Sequence, residues 1–195
     1  MLFDGNLGFA IIPDGETSET AVRLAASEAD GAEYLVKTPH ITLYHAPLKG
    51  AEEELVCYVL LQLAVFKGKR FETLEVRGFD RDWLLWLVRR DSNLATMHMA
   101  SLLASKHLDR EAAARSADSY RYGDSGRELI ARYGSPLVML RFLPHMTLAH
   151  DATRGFEGHE CGSPLEAGSC RSRIKEVVFA EFGEHGALKR IIASA

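Results

Sequence analysis

A seven-residue pattern that occurs twice constrains this chain more than any other feature. Residues 39–45 read Pro-His-Ile-Thr-Leu-Tyr-His, and residues 144–150 read Pro-His-Met-Thr-Leu-Ala-His. Five of the seven positions are identical, and the two copies begin 105 residues apart (144 − 39). Internal duplication explains this agreement better than coincidence. We therefore expect a fold with two related halves, each carrying one copy.

Each copy is predicted to lie on a β-strand, because apolar and polar residues alternate within it. Alternate residues of a strand face the same side, so His40 and Thr42 should share one face, about 7 Å apart along the chain. His145 and Thr147 should do the same in the second copy. Two such strands side by side would line a groove with two imidazoles and two hydroxyls.

The other predicted elements do not alternate regularly between strand and helix. The long helix expected between residues 93 and 117 is one of four predicted helices. Strands are expected at 7–12, 71–77, 83–88, 174–182 and 188–193, the last two joined as a hairpin by residues 184–186. A mixed order of this kind indicates the α+β class rather than a doubly wound sheet.

The groove residues suit the cleavage of a phosphodiester. One neutral imidazole takes a proton from the attacking water or hydroxyl, and the other, protonated, gives a proton to the leaving oxygen. The threonine hydroxyls donate hydrogen bonds to the phosphate oxygens as negative charge gathers there. This chemistry requires no metal ion and no other cofactor. The two copies are so alike that the base and the acid cannot be told apart.

Three further residues of the repeat are open to more than one interpretation. Tyr44 shares the alternation of His40 and Thr42, so we expect it to reach the groove and contact the substrate. His45 and His150 lie five residues after His40 and His145, which places them on the opposite face unless a β-bulge intervenes. A zinc site made by four histidines is therefore disfavoured.

The paired pattern resembles the HxT/S signatures of the 2H phosphoesterase superfamily, which includes 2′-5′ RNA ligase-like proteins and RNA 2′,3′-cyclic phosphodiesterases. The resemblance implies that His40 and His145 are the catalytic histidines and that Thr42 and Thr147 bind the substrate phosphate. It also implies a bilobal α+β fold over residues 1–195 as one domain. Two largely antiparallel sheets would flank a central cleft with pseudo-two-fold symmetry, and the helices would lie outside.

Composition narrows the expected partners. The formal charge of −4 argues against a binder of long duplex nucleic acid, but it allows a small nucleotide or an RNA end as substrate. Three cysteines without a CxxC pattern, and no apolar segment long enough for a bilayer, favour a soluble cytoplasmic protein that does not bind membranes. Oligomeric state cannot be read from the sequence.

Two alternatives to the enzyme stay open: a non-catalytic module that binds a nucleotide or RNA end in the same groove, and a metal hydrolase built on the HxxxxH pairs. Residues 119–123 combine Tyr120 and Tyr122 with Arg121, a set that contacts phosphate in some proteins but also occurs in solvated loops. Cys161 and Cys170 are interpreted as structural or incidental, within a surface loop at 154–172. His98 is expected on a surface or an interface.

Overall fold

A computed structural model describes residues 1–119, 123–161 and 172–195, and within them the chain forms nine strands and five α-helices. The strands are β1 (Leu2–Pro13), β2 (Tyr34–Leu35), β3 (Ile41–Glu52), β4 (Thr73–Phe79), β5 (Trp83–Val88), β6 (His145–His150), β7 (Glu160–Cys161), β8 (Ile174–Phe182) and β9 (Leu188–Ser194). The helices are α1 (Gly15–Glu28), α2 (Glu53–Ala64), α3 (Ser92–Ser101), α4 (Arg110–Ser119) and α5 (Gly123–Tyr133).

The strands form two antiparallel sheets, and each sheet carries one copy of the repeat. The first sheet has the order β3-β1-β8-β9, with the first copy on its edge strand β3. The second has the order β2-β6-β5-β4-β7, with the second copy on the internal strand β6. Because β3 also contacts β6, the two copies meet where the sheets face each other. The predicted α+β fold of two lobes around a cleft is confirmed.

The helices cover the sheets from outside through their apolar faces. Helix α1 begins after Asp14, whose carboxylate accepts a hydrogen bond from the Thr17 N–H and so caps the helix. Leu24 and Ala25 of α1 are buried, and the helix packs on β6 and β2. Helix α2 packs on β8 and α3. None of the helices that the structure describes combines the length and the apolar character needed to cross a membrane.

In the first sheet, a glycine of β1 lies directly against the first copy of the repeat. Gly8 of β1 pairs with His45 of β3, and a Cβ at position 8 would collide with the carbonyl oxygen of Tyr44. Only glycine therefore permits this approach of the two backbones. Phe9 packs its ring on Phe179 of β8, with centroids 5.0 Å apart, and both side chains are fully buried. The first copy is thus held by a tightly packed neighbour.

The prediction of one long helix at residues 93–117 is wrong. The chain forms α3, then a 3-10 segment at Leu102–His107, and then α4. Asp109 starts α4, because its carboxylate accepts hydrogen bonds from the N–H groups of Glu111 and Ala112. The predicted cluster Tyr120-Arg121-Tyr122, Cys170 and most of the loop at 154–172 lie outside the described residues.

Candidate active site

The first copy of the repeat contains a β-bulge. In the pairing of β1 with β3, Ala10 lies opposite Thr42, and the preceding residue Phe9 lies opposite Tyr44. Leu43 is therefore an extra residue without a partner of its own. After this leucine, each side chain faces the side opposite to the one that a regular strand would give it.

The second copy has the same irregularity at the same position. In the pairing of β5 with β6, Leu85 lies opposite Thr147, and Leu84 lies opposite Ala149. Leu148 is the extra residue here, and it corresponds to Leu43 in the repeat. The bulge is therefore a property of the repeated sequence and not of one sheet.

The bulges overturn the prediction that His45 and His150 lie on the face opposite to the threonines. Both histidines are half-buried, like Thr42 and Thr147, whereas the residue before each of them, Tyr44 or Ala149, is fully buried. Each extra leucine returns the fifth residue after the first histidine of the repeat to the face of the threonine. The sequence offered no direct signal for this change.

Tyr44 changes face for the same reason, and its predicted contact with the substrate stays a prediction. The residue borders the cleft, but its side chain is 2% exposed and its hydroxyl donates a hydrogen bond to the Tyr133 carbonyl, 2.8 Å away. Burial raises the pKa of Tyr44. We interpret Tyr44 as a structural residue that ties β3 to the end of α5.

The variant Tyr44→Phe should lower the free energy of unfolding by about 1 kcal/mol, because the Tyr133 carbonyl loses a buried partner. Urea unfolding measures this loss. Because the hydroxyl is occupied by the Tyr133 carbonyl, kcat/KM should stay at the wild-type value. A fall in kcat/KM without a loss of stability would instead indicate that the Tyr44 hydroxyl contacts the substrate.

The two motif histidines are held by the same hydrogen bond. Nδ1 of His40 lies 2.8 Å from the carbonyl oxygen of Thr38, and Nδ1 of His145 lies 2.7 Å from that of Leu143. Both acceptors are two residues earlier, just before the proline of the repeat. A carbonyl only accepts, so each Nδ1 carries a hydrogen and each Nε2 is left for proton transfer.

The two rings differ at Nε2. Nε2 of His40 lies 3.1 Å from the carbonyl oxygen of Gly186, at the tip of the β8–β9 hairpin, and His40 is only 5% exposed. Because both its neighbours are carbonyls, this ring satisfies both only as imidazolium. His145 has one such carbonyl, and its ring lines the cleft. The geometry therefore distinguishes two histidines that the sequence did not.

Burial is the main influence on the pKa of both histidine rings. It lowers the pKa of His40, while the Thr38 and Gly186 carbonyls oppose this lowering. It also lowers the pKa of His145, where the Leu143 carbonyl opposes and the charge of His40 adds to the lowering. His40 therefore lies within electrostatic reach of His145.

The cleft between the sheets has a volume of about 610 Å³. Thr42 and His45 line it from the first copy, and His145 and Thr147 line it from the second. His40 lies behind Gly186, which is itself on the cleft wall. Among the described residues of this wall, none is a lysine or an arginine. An anion bound here would therefore depend on imidazole and hydroxyl groups.

His98 supports the first bulge from behind, and sequence analysis missed it. The side chain is 1% exposed, against the expected surface position. Its Nδ1–H donates to the carbonyl of Leu43 at 2.6 Å, and its Nε2 accepts from the N–H of Met139 at 2.9 Å. It therefore links the bulge to the segment that leads into the second copy. Its helical spacing from the buried Leu94 and Met97 was a signal for this position.

The variant His98→Ala should lower the free energy of unfolding by about 3 kcal/mol, because it leaves a cavity and two buried backbone groups without partners. The shift of the urea midpoint at constant m-value measures this loss. His107→Ala is the matched control, since His107 is partly exposed and faces Glu52 at 3.9 Å. Equal midpoints for the two variants would contradict this role.

The four repeat histidines now share a face, which reopens the question of a metal site. Within residues 1–119, 123–161 and 172–195, no three His, Cys, Asp or Glu side chains are grouped so as to hold a metal ion. His150 instead stacks on His185 with centroids 4.0 Å apart, and its Nδ1 faces Glu33 at 3.7 Å. The Trp83 ring contacts His150 edge-on. His150, at the C-terminal end of β6, therefore belongs to a cluster of aromatic rings.

Solved structures share this fold over almost the whole chain. A phosphoesterase of known structure is 19% identical, with coverages of 99% of this chain and 98% of its own, and gives a TM-score of 0.53. TT0787 of Thermus thermophilus is 13% identical, with coverages of 97% and 96% and a TM-score of 0.54. E. coli LigT complexed with 3'-AMP is 17% identical, with coverages of 99% and 98% and a TM-score of 0.54.

No protein-family model and no curated protein sequence matches the chain. At these low identities the structural likeness shows the fold, and it confirms the fold resemblance that the two motifs predicted. The chemical roles of His40, Thr42, His145 and Thr147 stay predictions. The structure adds His45 as a cleft residue and His98 as the support of the bulge.

Proposed function

We propose that this chain, which shares its fold with a phosphoesterase and with LigT, is a metal-independent phosphodiesterase acting on a cyclic or 2′-linked phosphodiester of RNA or a nucleotide. One observation carries the proposal: His40 and His145 donate Nδ1–H to equivalent carbonyls, in two copies that meet at one cleft. This arrangement leaves each Nε2 for proton transfer. Two imidazoles of this kind can serve both ends of a displacement at phosphorus.

The hydrogen bonds support an assignment of roles. His145 keeps an unprotonated Nε2 towards the cleft, as a general base requires. His40 is the general acid, because the Gly186 carbonyl favours a proton on its Nε2. When substrate binds, its leaving oxygen takes the place of the Gly186 carbonyl beside Nε2 of His40. The proton on Nε2 then passes to that oxygen. Thr42 and Thr147 donate hydrogen bonds to the non-bridging oxygens as their negative charge increases.

The reaction then balances without a further group. The water oxygen bonds to phosphorus, and one of its protons moves to Nε2 of His145. The bond from phosphorus to the leaving oxygen breaks, and that oxygen takes the proton from Nε2 of His40. The products are a phosphomonoester and an alcohol, and the two rings exchange protons with solvent before the next cycle.

Two observations support a nucleotide or an RNA end as the substrate class. A cleft of about 610 Å³ accommodates a nucleotide, and the described part of its wall lacks the cations that a long polyanion requires. LigT, which shares the fold, has been crystallised with 3'-AMP and with NADP+. No membrane partner is proposed.

A screen over 2′,3′-cyclic nucleotides, 2′,5′-linked dinucleotides and ADP-ribose cyclic phosphate tests the proposal. The double variant His40→Ala/His145→Ala is the blank, and each reaction is run with and without EDTA. Turnover of at least one class should persist in EDTA and be absent from the blank. Turnover by the blank, or turnover abolished by EDTA, would contradict the proposed mechanism.

A non-catalytic module that binds a nucleotide or RNA end is the second candidate. One observation favours it: Nε2 of His40 already has a partner in Gly186. If that contact does not yield to a substrate, His40 cannot deliver a proton. Saturable binding of 3'-AMP without turnover of any diester in the screen would establish this candidate.

A further inference from the structure

The His45 ring lies in the cleft, but the proposed proton transfers do not use it. The bulge at Leu43 turns the ring to the face of Thr42, and the residue lines the cleft between the sheets. One side of the ring stacks on Phe182 with centroids 5.0 Å apart. The His40 ring contacts the same phenylalanine at 5.7 Å. His45 is therefore held in a fixed position, within electrostatic reach of both His40 and His145.

The neighbours of His45 determine which of its nitrogens carries the hydrogen. The Asn6 amide nitrogen donates to the carbonyl of Phe182 at 3.3 Å, which directs the amide oxygen of Asn6 towards His45. That oxygen lies 3.1 Å from Nδ1 of His45. An amide oxygen only accepts, so Nδ1 carries the hydrogen and Nε2 carries the lone pair. No residue in the described part of the chain forms a hydrogen bond with Nε2.

The ring stays neutral at the pH of a cell. Burial, together with the charges of His40 and His145, lowers the pKa of His45 to about 4. Nε2 is therefore a permanent acceptor next to two rings that exchange protons. An acceptor repels a phosphate oxygen, because both atoms present lone pairs. The group that faces Nε2 must bring a hydrogen of its own.

We propose that Nε2 of His45 accepts a hydrogen bond from the attacking water and thereby selects water over alcohols as the nucleophile. The inference rests on the proposed function, since it concerns the nucleophile of that reaction. Water has two hydrogens: His145 removes one, and the other is donated to His45 and stays on the new phosphate oxygen. An alcohol has one hydrogen, which the base requires, so it gains nothing from His45.

Competition between water and methanol tests this inference. A substrate identified as a 2′,3′-cyclic nucleotide would be hydrolysed in buffer containing methanol, and the phosphomonoester and methyl diester products counted by phosphorus NMR. In His45→Phe we expect hydrolysis to fall about tenfold, the effect of one lost hydrogen bond to the nucleophile, while methanolysis is unchanged. The ratio of methyl diester to monoester should therefore rise about tenfold.

His150→Phe is the matched control, since His150 occupies the same position of the other copy and has Glu33 beside Nδ1. Its product ratio should equal that of the wild type. Asn6→Leu is a second test, because it removes the acceptor that fixes the His45 tautomer and should raise the ratio severalfold. An unchanged ratio in folded His45→Phe and Asn6→Leu, with an active wild type, overturns this inference alone. No turnover by the wild type overturns the proposed function as well.

Discussion

The variant His40→Ala is expected to lower kcat by about 10²–10⁴ on a nucleotide diester with an alkyl leaving group. The alkoxide is a poor leaving group, so its departure depends on the proton that His40 supplies. With a p-nitrophenyl diester of the same nucleotide the loss should be much smaller, because p-nitrophenolate leaves without protonation. Steady-state rates on the two substrates measure the difference.

The comparison separates a general acid from a residue that merely shapes the cleft. A structural role for His40 would lower both rates by the same factor, and that outcome would contradict the assignment. His98 provides the control, since it is a buried histidine with two backbone partners that does not itself line the cleft. The conservative variant His98→Gln should change both rates equally.

The variant His145→Ala is expected to lower kcat by a similar factor of about 10²–10⁴ on both substrates. The attack of water needs a base whatever the leaving group is, so a p-nitrophenyl ester brings no rescue. Hydroxylamine, a better nucleophile than water, should restore part of the rate in this variant. Rescue of His145→Ala by the p-nitrophenyl ester would reverse the roles of the two histidines.

The same two variants should alter opposite sides of the pH profile. The wild-type kcat/KM should follow a bell, because His145 must be neutral and His40 protonated. Burial lowers both pKa values, so the rising and the falling limb both move to lower pH, and the optimum lies on the acid side of the ordinary histidine value of about 6.5. His145→Ala should flatten the rising limb, and His40→Ala the falling limb.

The repeat predicted that the two motifs meet at a groove, because alternation within each copy and the duplication can both be read from the sequence. The two-sheet fold was implied by the family resemblance. The repeat did not predict which side Tyr44 and His45 face. That depends on the bulge at Leu43, where Gly8 approaches the Tyr44 carbonyl and His98 binds the Leu43 carbonyl. These contacts join residues far apart in the chain, so no pattern within the motif reveals them.

The difference between the two motif histidines was equally hidden. His40 and His145 both follow a proline and precede a threonine by two residues, and both donate to a carbonyl two residues earlier. Among the described residues, the hairpin tip at Gly186, 146 residues after His40, distinguishes them at Nε2. Tertiary contacts of this kind determine the protonation of each ring, and the sequence alone does not reveal them.

The proposed mechanism requires that His40 and His145 act on one phosphate group. The most direct measurement is the ¹⁵N chemical shift of each histidine ring during titration with 3'-AMP. We predict that Nε2 of both rings shifts with one common dissociation constant, while Nδ1 of both stays protonated. Saturation of one ring without the other, or two different dissociation constants, would contradict this mechanism.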